Sequence, residues 1–164
     1  MLFYHISRDM NLFEGQTLVP NVNGLSHYGY SFLNHAPSEY DQQFCMSCVV
    51  EHLFEYVRQL KYPDRPSRFQ SVYAIHPDDW DTTPWRTHKD FVGKSIWLFE
   101  AESYARLDAS LLRAYSSGNF DAHAARYCAN QYWSGGSGHD AGYQEAQLWE
   151  SLLQYPVTVV KRIH

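Results

Sequence analysis

The sequence has no segment that would anchor it in a membrane and no basic surface for a nucleic acid. Among its 164 residues, no apolar run approaches the length needed to span a bilayer. Lys and Arg number 13 against 18 Asp and Glu, the net charge is −5, and no basic residues cluster into a stripe. Because nucleic-acid binders usually carry such a patch, the composition argues against DNA or RNA as the main partner. A nucleotide-sized ligand held by a few local cations is compatible with it.

The chain is also poor in cysteine. Its three cysteines, an odd number, do not suit a disulfide framework and favour a reducing compartment. The first residues, Met1 to His5, carry no basic leader and no long apolar stretch, so no secretory signal peptide is predicted. We therefore expect a cytoplasmic protein, and the length favours a single domain over residues 1–164.

Aromatic residues, by contrast, are abundant. They make up 16% of the chain, with 13 Tyr, 9 Phe and 5 Trp, and hydrophobic residues as a whole reach 45%. Tyr and Trp each carry a polar tip that needs a partner or water. Such a composition suits a core built from rings, and it also suits a pocket that is lined for a flat ligand. Composition alone favours the core.

The order of hydrophobic patterns predicts an α+β fold. Short β-prone runs lie at both ends of the chain, and helical periodicity lies between them, which favours this class over a series of βαβ units. The predicted helices cover 41–60, 108–115 and 121–133. The predicted strands cover 2–6, 69–75, 95–102 and 149–163, the last with a bend at Pro156, and 12–20 is a second extended run with a turn at Gly15. The segments 21–37, 76–88 and 134–142 are predicted to be loops, the first of them a possible lid.

Four short motifs in a fixed order resemble those of a family of small bacterial domains of uncharacterised function. That family is itself similar to the ADP-ribosyltransferases. The motifs are Tyr4-His5-Ile6-Ser7-Arg8, then Pro66-Ser67-Arg68 leading into Ser71-Val72-Tyr73-Ala74, then Tyr132-Trp133-Ser134-Gly135, and last Glu150 leading into Pro156-Val-Thr-Val-Val. The resemblance touches most of the chain. It implies an ADP-ribosyltransferase-like fold, with a split, bent β-sheet core, flanking helices, and NAD in the cleft between the half-sheets.

The resemblance also implies a chemistry. Breaking the nicotinamide–ribose bond of NAD creates an oxocarbenium-like cation, which a nearby carboxylate stabilises. Glu150 is the implied catalytic carboxylate, and Glu145 on the same segment is its rival. His5 is implied to hydrogen-bond the ribose of NAD, and a core histidine bonded to backbone is the alternative reading.

Two serines and two arginines complete the implied site. Ser67 and Ser71 would orient Glu150, although Ser67 after a proline also suits an ordinary turn. Arg8 and Arg68 would contact the pyrophosphate, since a guanidinium fork suits that group, while a surface position is the alternative for Arg68.

A tyrosine is implied to hold the nicotinamide ring. Tyr73 in the second motif would stack on it, or a tyrosine of the 21–37 segment, Tyr28 or Tyr30, would do so. A core tyrosine on a strand is an equally good reading of Tyr73.

The sequence departs from the best-studied ADP-ribosyltransferases at two positions. The first strand offers His5 where an Arg-Ser-Glu set would need an arginine, and Leu148 stands two residues before Glu150, where many members use Glu or Gln to grip a target. The acceptor therefore stays open between a protein and water. We expect transfer of ADP-ribose to a macromolecule, with NAD hydrolysis or a catalytically silent binding module of the same fold as alternatives. A toxin or effector of this kind would have an antitoxin or immunity protein as a further partner.

A metal-supported structural protein is a further alternative. Cys45, Cys48 and His52 fall on successive turns of one predicted helix, and a fourth ligand would come from His27, His35 or Cys128. Buried cysteines on a helix face are commonly core fillers, so no metal is predicted.

Overall fold

The computed structural model describes residues 1–7, 11–34, 42–82, 84, 93–113, 121–144 and 146–164, with the side chains of 42–45 and 113 outside the description. These residues form seven strands and five α-helices, so the predicted α+β class is confirmed. The strands are β1 (Leu2–Ser7), β2 (Thr17–Leu18), β3 (Val72–Ala74), β4 (Ser95–Glu100), β5 (Tyr104–Asp108), β6 (Trp149–Leu153) and β7 (Val157–Arg162). The helices are α1 (His27–Leu33), α2 (Gln42–Lys61), α3 (Pro77–Trp80), α4 (Ser110–Arg113) and α5 (Ala122–Ser134), and a 3-10 turn covers Arg68–Gln70. No helix in the described ranges is both long and apolar enough to cross a membrane.

The strands make two antiparallel sheets. The larger has the order β1-β4-β7-β2, and the smaller has the order β3-β6-β5. An isolated antiparallel bridge between Tyr4 and Ile75 joins them, with N–H···O distances of 2.9 and 2.7 Å. The first strand therefore runs beside the end of β3, and the two sheets meet at this bridge.

Strand β6 is the centre of the smaller sheet and is buried on both faces. Side chains alternate across a strand, so Glu150 and Leu152 share one face, while Ser151 and Leu153 share the other. Leu152 packs under α2 and α5, where the indole of Trp133 donates to the Phe54 carbonyl at 2.7 Å. Leu153 packs in a second cluster between the sheets. That second cluster also contains Phe3, Val72, Trp97, Phe99, Val157 and Val159. Glu150 thus faces the helices, not the junction of the sheets.

The segment predicted as a loop or lid contains helix α1. Its N-cap Ser26 accepts a hydrogen bond from the N–H of Gly29 at 3.0 Å, and both the N–H and the hydroxyl of Ser26 donate to the carbonyl of Phe69. A Cβ on Gly29 would lie 2.0 Å from that same carbonyl oxygen, so only glycine allows this approach. The helix was missed because tertiary docking, rather than a periodic apolar pattern, fixes it.

The segment around Asp108 also differs from the prediction. A helix was predicted over 108–115, whereas β5 occupies Tyr104–Asp108 and α4 begins at Ser110. Strand β5 has only five residues, and Arg106 lies in the middle of its apolar residues. Its sequence therefore shows little of the alternation that predicts a strand. The helices α2 and α5 and the strand β4 match their predicted positions closely.

Asp108 is a buried carboxylate that binds backbone instead of a cation. Its Oδ1 accepts from the N–H groups of Ser110 and Leu148 at 3.0 and 2.9 Å, and its Oδ2 accepts from Gly138 at 2.8 Å. It therefore ties the glycine-rich 134–142 loop and the entry to β6 to the end of β5. Because Glu150 is the second residue of β6, Asp108 helps to set its position.

We expect Asp108→Asn to lower the free energy of unfolding by about 2 kcal/mol. The amide oxygen still serves two of the N–H groups, but the amide NH2 then faces the N–H of Gly138 with no acceptor between them. Urea unfolding measures the change. Asp121→Asn is the matched control, since Asp121 caps α5 and asparagine caps a helix about as well. Equal midpoints for the two variants would contradict this role of Asp108.

Candidate functional site

Glu150 lies under the helices in a nearly water-free position. Its side chain is on the face of β6 that packs against α2 and α5, and the residue is 6% exposed. A carboxylate buried without partners would cost several kcal/mol. One oxygen, Oε1, accepts from Nη1 of Arg68 and from the hydroxyl of Tyr132, the latter at 2.5 Å. Glu150 is thus buried beside a guanidinium and a phenol.

Arg68 lies between two carboxylates. Its Nε and Nη2 donate to the two oxygens of Glu51 at 2.8 and 3.0 Å, which is the bidentate geometry that suits guanidinium and carboxylate best. Its Nη1 donates to Glu150 and also to the Tyr132 hydroxyl, at 2.7 Å for the phenol. We call these residues, Glu51 on α2, Arg68 on the 3-10 turn and Glu150 on β6, the acid–arginine cluster.

Tyrosine rings surround this cluster. The Arg68 guanidinium lies 5.0 Å from the ring centre of Tyr73 and 5.5 Å from that of Tyr132. The Tyr28 hydroxyl, on α1, donates to Glu51 at 3.1 Å, and its ring meets the ring of Tyr73 edge-on with centroids 4.7 Å apart. Tyr28 and Tyr73 are partly exposed, whereas the three charged residues are buried. Tyr28 and Tyr73 are therefore the more exposed side chains of this group.

The surroundings of Glu150 act on its ionisation in opposing directions. Burial raises the pKa of Glu150, and the negative charge of Glu51 raises it further. The positive charge of Arg68 and the hydrogen bond from Tyr132 lower it, without cancelling the effect of burial. Burial disfavours the charged form of Arg68, yet the two carboxylates hold its pKa well above the ordinary value. The guanidinium is therefore a fixed positive charge, and the pKa of Glu150 stays raised beside it.

His5 reaches the cluster through Tyr73. Its Nδ1 is 2.8 Å from the Tyr73 carbonyl, which can only accept, so Nδ1 carries the hydrogen and Nε2 is an acceptor. The ring stacks on Phe99 with centroids 4.4 Å apart. Burial lowers the pKa of His5 to about 4, so the ring is neutral at pH 7. Within the described part of the chain, the buried Nε2 has no hydrogen-bond partner.

The two predicted serines hold the turn that carries Arg68. Ser67 donates to Glu55 at 3.0 Å and accepts from the N–H of Phe69, and the Ser71 hydroxyl donates to the Ser67 carbonyl at 2.7 Å. Among the described contacts, neither hydroxyl bonds to Glu150. The direct contact with Glu150 that the sequence suggested is therefore not made, and both hydroxyls hold the turn that carries Arg68.

The other candidate residues include some that the structure describes and some that it does not. Arg8 and Glu145 lie outside the described residues, and Tyr30 is 49% exposed on α1. In the proposed metal set, Nδ1 of His52 lies 2.7 Å from the Cys48 carbonyl, while the side chain of Cys45 and all of His35 lie outside the description. Across the described ranges, no group of three or more His, Cys, Asp or Glu residues could hold a metal ion.

Two members of the site, Glu51 and the hydroxyl of Tyr132, were not assigned roles from the sequence. A signal for Glu51 exists, because it lies on the same side of α2 as the core residues Val50 and Phe54. An acidic residue on an apolar helix face calls for a buried cation as its partner. Tyr132 lies in one of the recognised motifs, yet nothing local shows that its hydroxyl faces a carboxylate 18 residues away.

We expect His5 to make the protein less stable as the pH falls from about 6.5 to about 4. Because the folded-state pKa lies below the unfolded one, the unfolded chain takes up this proton first, and stability is fully present only above that window. The loss is up to about 3 kcal/mol. Urea unfolding of the wild type and of His5→Asn at several pH values measures it, with His123→Asn as an exposed control. The same pH dependence in wild type and His5→Asn would contradict the assignment.

One comparison with known proteins places this chain in a family. Residues 31–164 match a family described as "Protein of unknown function (DUF2441)". The matched region contains all three members of the acid–arginine cluster and Tyr132, and His5 precedes it. A search of curated proteins found no similar sequence. Because the match covers well over half of its length, the chain belongs to the DUF2441 family.

Proposed function

We propose that the protein is an NAD-dependent ADP-ribosyltransferase with an ADP-ribosyltransferase-like fold, acting on a macromolecular target. The observation that carries the proposal is the arrangement of three neighbouring strands. β1 bears His5, β3 bears Tyr73 and β6 bears Glu150, and β3 lies between the other two through the Tyr4–Ile75 bridge and the Tyr73–Leu152 pair. The motif residues that resemble that family are thus on adjacent strands of two sheets that meet.

Glu150 supplies the chemistry in this proposal. When the bond from the ribose carbon to nicotinamide breaks, its electron pair leaves with the neutral pyridine and positive charge develops on the sugar. An ionised Glu150, held by Arg68 and Tyr132, stabilises that charge. A nucleophile of the target then attacks the same carbon and loses its proton. The fixed hydrogen bonds keep the carboxylate oriented before the substrate arrives, so little reorganisation is needed.

The remaining residues bind NAD. His5 is neutral, and its Nε2, which has no hydrogen-bond partner among the described residues, is an acceptor suited to a ribose hydroxyl. Tyr73, with Tyr28 beside it, offers a ring face for nicotinamide. Arg8 is assigned to the pyrophosphate. Most N–H groups of Arg68 already point to carboxylates and a phenol, so in this proposal it acts chiefly on Glu150.

Hydrolysis of NAD is the second candidate, and Leu148 favours it. This residue stands where many protein-modifying members of the resembled group carry Glu or Gln, and it is apolar and 4% exposed. A buried leucine offers no hydrogen bond to a target side chain, so water is the nucleophile in this version. With transfer, the expected partners are a protein acceptor and, for a toxin, an antitoxin or immunity protein.

A silent binding module is the third candidate, and the burial of Glu150 favours it. A carboxylate that is 6% exposed and paired to an arginine also fits a purely structural ion pair. In the catalytic reading, Tyr28 moves aside to admit the nicotinamide ribose. Calorimetry that finds NAD binding without nicotinamide release over hours would select the silent module.

We expect Glu150→Gln to reduce nicotinamide release from NAD by at least about a hundredfold. Glutamine keeps an oxygen for Arg68 and Tyr132 while removing the negative charge, so the fold is retained and the cation is no longer stabilised. Glu100→Gln, at the exposed end of β4, is the control and retains full activity. Release by Glu150→Gln at the wild-type rate would defeat the proposed function.

A second assay separates the products. NAD labelled in its adenylate half is incubated with the protein and a cell lysate. Label on protein identifies transfer, and free labelled ADP-ribose alone identifies hydrolysis.

A further inference from the structure

Glu51 accepts more hydrogen bonds from Arg68 than Glu150 does. It receives the Nε–Nη2 edge of Arg68 in two parallel hydrogen bonds, whereas Glu150 receives Nη1 alone and shares it with Tyr132. A bidentate pair is stronger than a single hydrogen bond. Arg68 is therefore held more firmly by Glu51, and it stabilises the negative charge of Glu150 less than it would if Glu150 were its only acidic partner. Two carboxyl groups thus compete for one guanidinium in a buried space.

Tyr132 contacts Glu150 directly and donates a hydrogen bond to it. Its hydroxyl accepts from Arg68 at 2.7 Å, so its own hydrogen is free to point to Glu150, which lies 2.5 Å away. Tyr132 is fully buried in the helix-facing core, and no bulk water can replace this hydrogen bond. A hydrogen bond donated to a carboxylate favours its charged form.

The groups that face Glu150 come from every element packed around it. Arg68 lies on the 3-10 turn, Tyr132 on α5, Glu51 on α2, Tyr28 on α1 and Tyr73 on β3. The residue paired with Glu150 on β5 is apolar and contributes no charge. Within the described chain, Glu51 is the negative group and Arg68 the positive group nearest to it.

We infer that Glu51 and Tyr132 are positioning residues that set the ionisation of Glu150 in opposite directions. Glu51 opposes the charged form by holding Arg68 and adding like charge, and Tyr132 favours it through its hydrogen bond. The inference rests on the proposed function for its consequence, which is that nicotinamide release depends on pH through this balance. It concerns the protein without NAD as well, so it can be tested independently.

The first test is a titration of the Glu150 carboxyl group in the NAD-free protein. Carbon-13 NMR of protein labelled at glutamate carboxyl groups follows it, and the signal is assigned by its loss in Glu150→Gln. We expect Glu51→Gln to move the titration midpoint to lower pH and Tyr132→Phe to move it to higher pH. Movement in the same direction, or no movement in either variant, would overturn the inference.

Matched controls come from positions outside the cluster. Glu100→Gln removes an exposed carboxylate at the end of β4, and Tyr62→Phe removes a hydroxyl that bonds to the α5 backbone. Both leave the Glu150 midpoint in place if the effect is specific. If Tyr132→Phe fails to fold, 3-fluorotyrosine at position 132 replaces it. Its more acidic hydroxyl donates a stronger hydrogen bond, so the midpoint moves to lower pH, and an unchanged midpoint counts against the inference.

The second test is the pH profile of nicotinamide release. The acidic limb is expected to move with the NMR midpoint, to lower pH in Glu51→Gln and to higher pH in Tyr132→Phe. A purely structural role would lower the rate at all pH values without moving the limb. If the NMR midpoints shift as expected and the wild type releases no nicotinamide, the proposed function fails while the inference stands. If nicotinamide is released and the midpoints do not shift, the inference alone fails.

Discussion

The structure depends on one buried arginine placed between two acids. Arg68 connects the 3-10 turn to α2 through Glu51 and to β6 through Glu150, and Tyr132 adds α5 to the same contact. Neither carboxylate could lie in this core alone, because an unpaired buried charge is far less stable than a solvated one. The guanidinium therefore fixes where the turn, two helices and the central strand of the smaller sheet meet.

The rest of the fold places Glu150 on the helix-facing side of the smaller sheet. Asp108 ties the entry of β6 to β5, and β6 pairs with β3, whose Tyr73 bonds to His5 of the larger sheet. The His5 ring and the Glu150 carboxyl group are thus both connected to β3, the strand that carries Tyr73.

Much of this could be predicted from the sequence, and the failures have physical causes. The long periodic elements α2 and α5 and the α+β class were predicted, since periodic apolar patterns encode them locally. Helix α1 was missed because the contact of Gly29 with the Phe69 carbonyl fixes it, and β5 was missed because its pattern is short. Tertiary contacts of this kind leave little trace in the local sequence.

The roles of the site residues were also hard to predict, because they depend on contacts between residues that are far apart in the sequence. The motifs marked Glu150, Arg68, Tyr73 and His5, and the structure places them on neighbouring elements. The partners of Arg68 lie 17 and 82 residues away, so a contact with phosphate and a contact with two acids could not be distinguished beforehand. Ser67 bonds to Glu55, which lies only 12 residues earlier on α2, because the chain turns back along that helix after it ends.

The most direct test of the account is a crystal structure of the Glu150→Gln protein with NAD bound. The account predicts that the ring of Tyr28 moves away from Tyr73, that a ribose hydroxyl donates to Nε2 of His5, and that the ribose carbon bearing nicotinamide faces position 150. NAD bound on another surface, with the Tyr28–Tyr73 contact and the buried cluster unchanged, would contradict it.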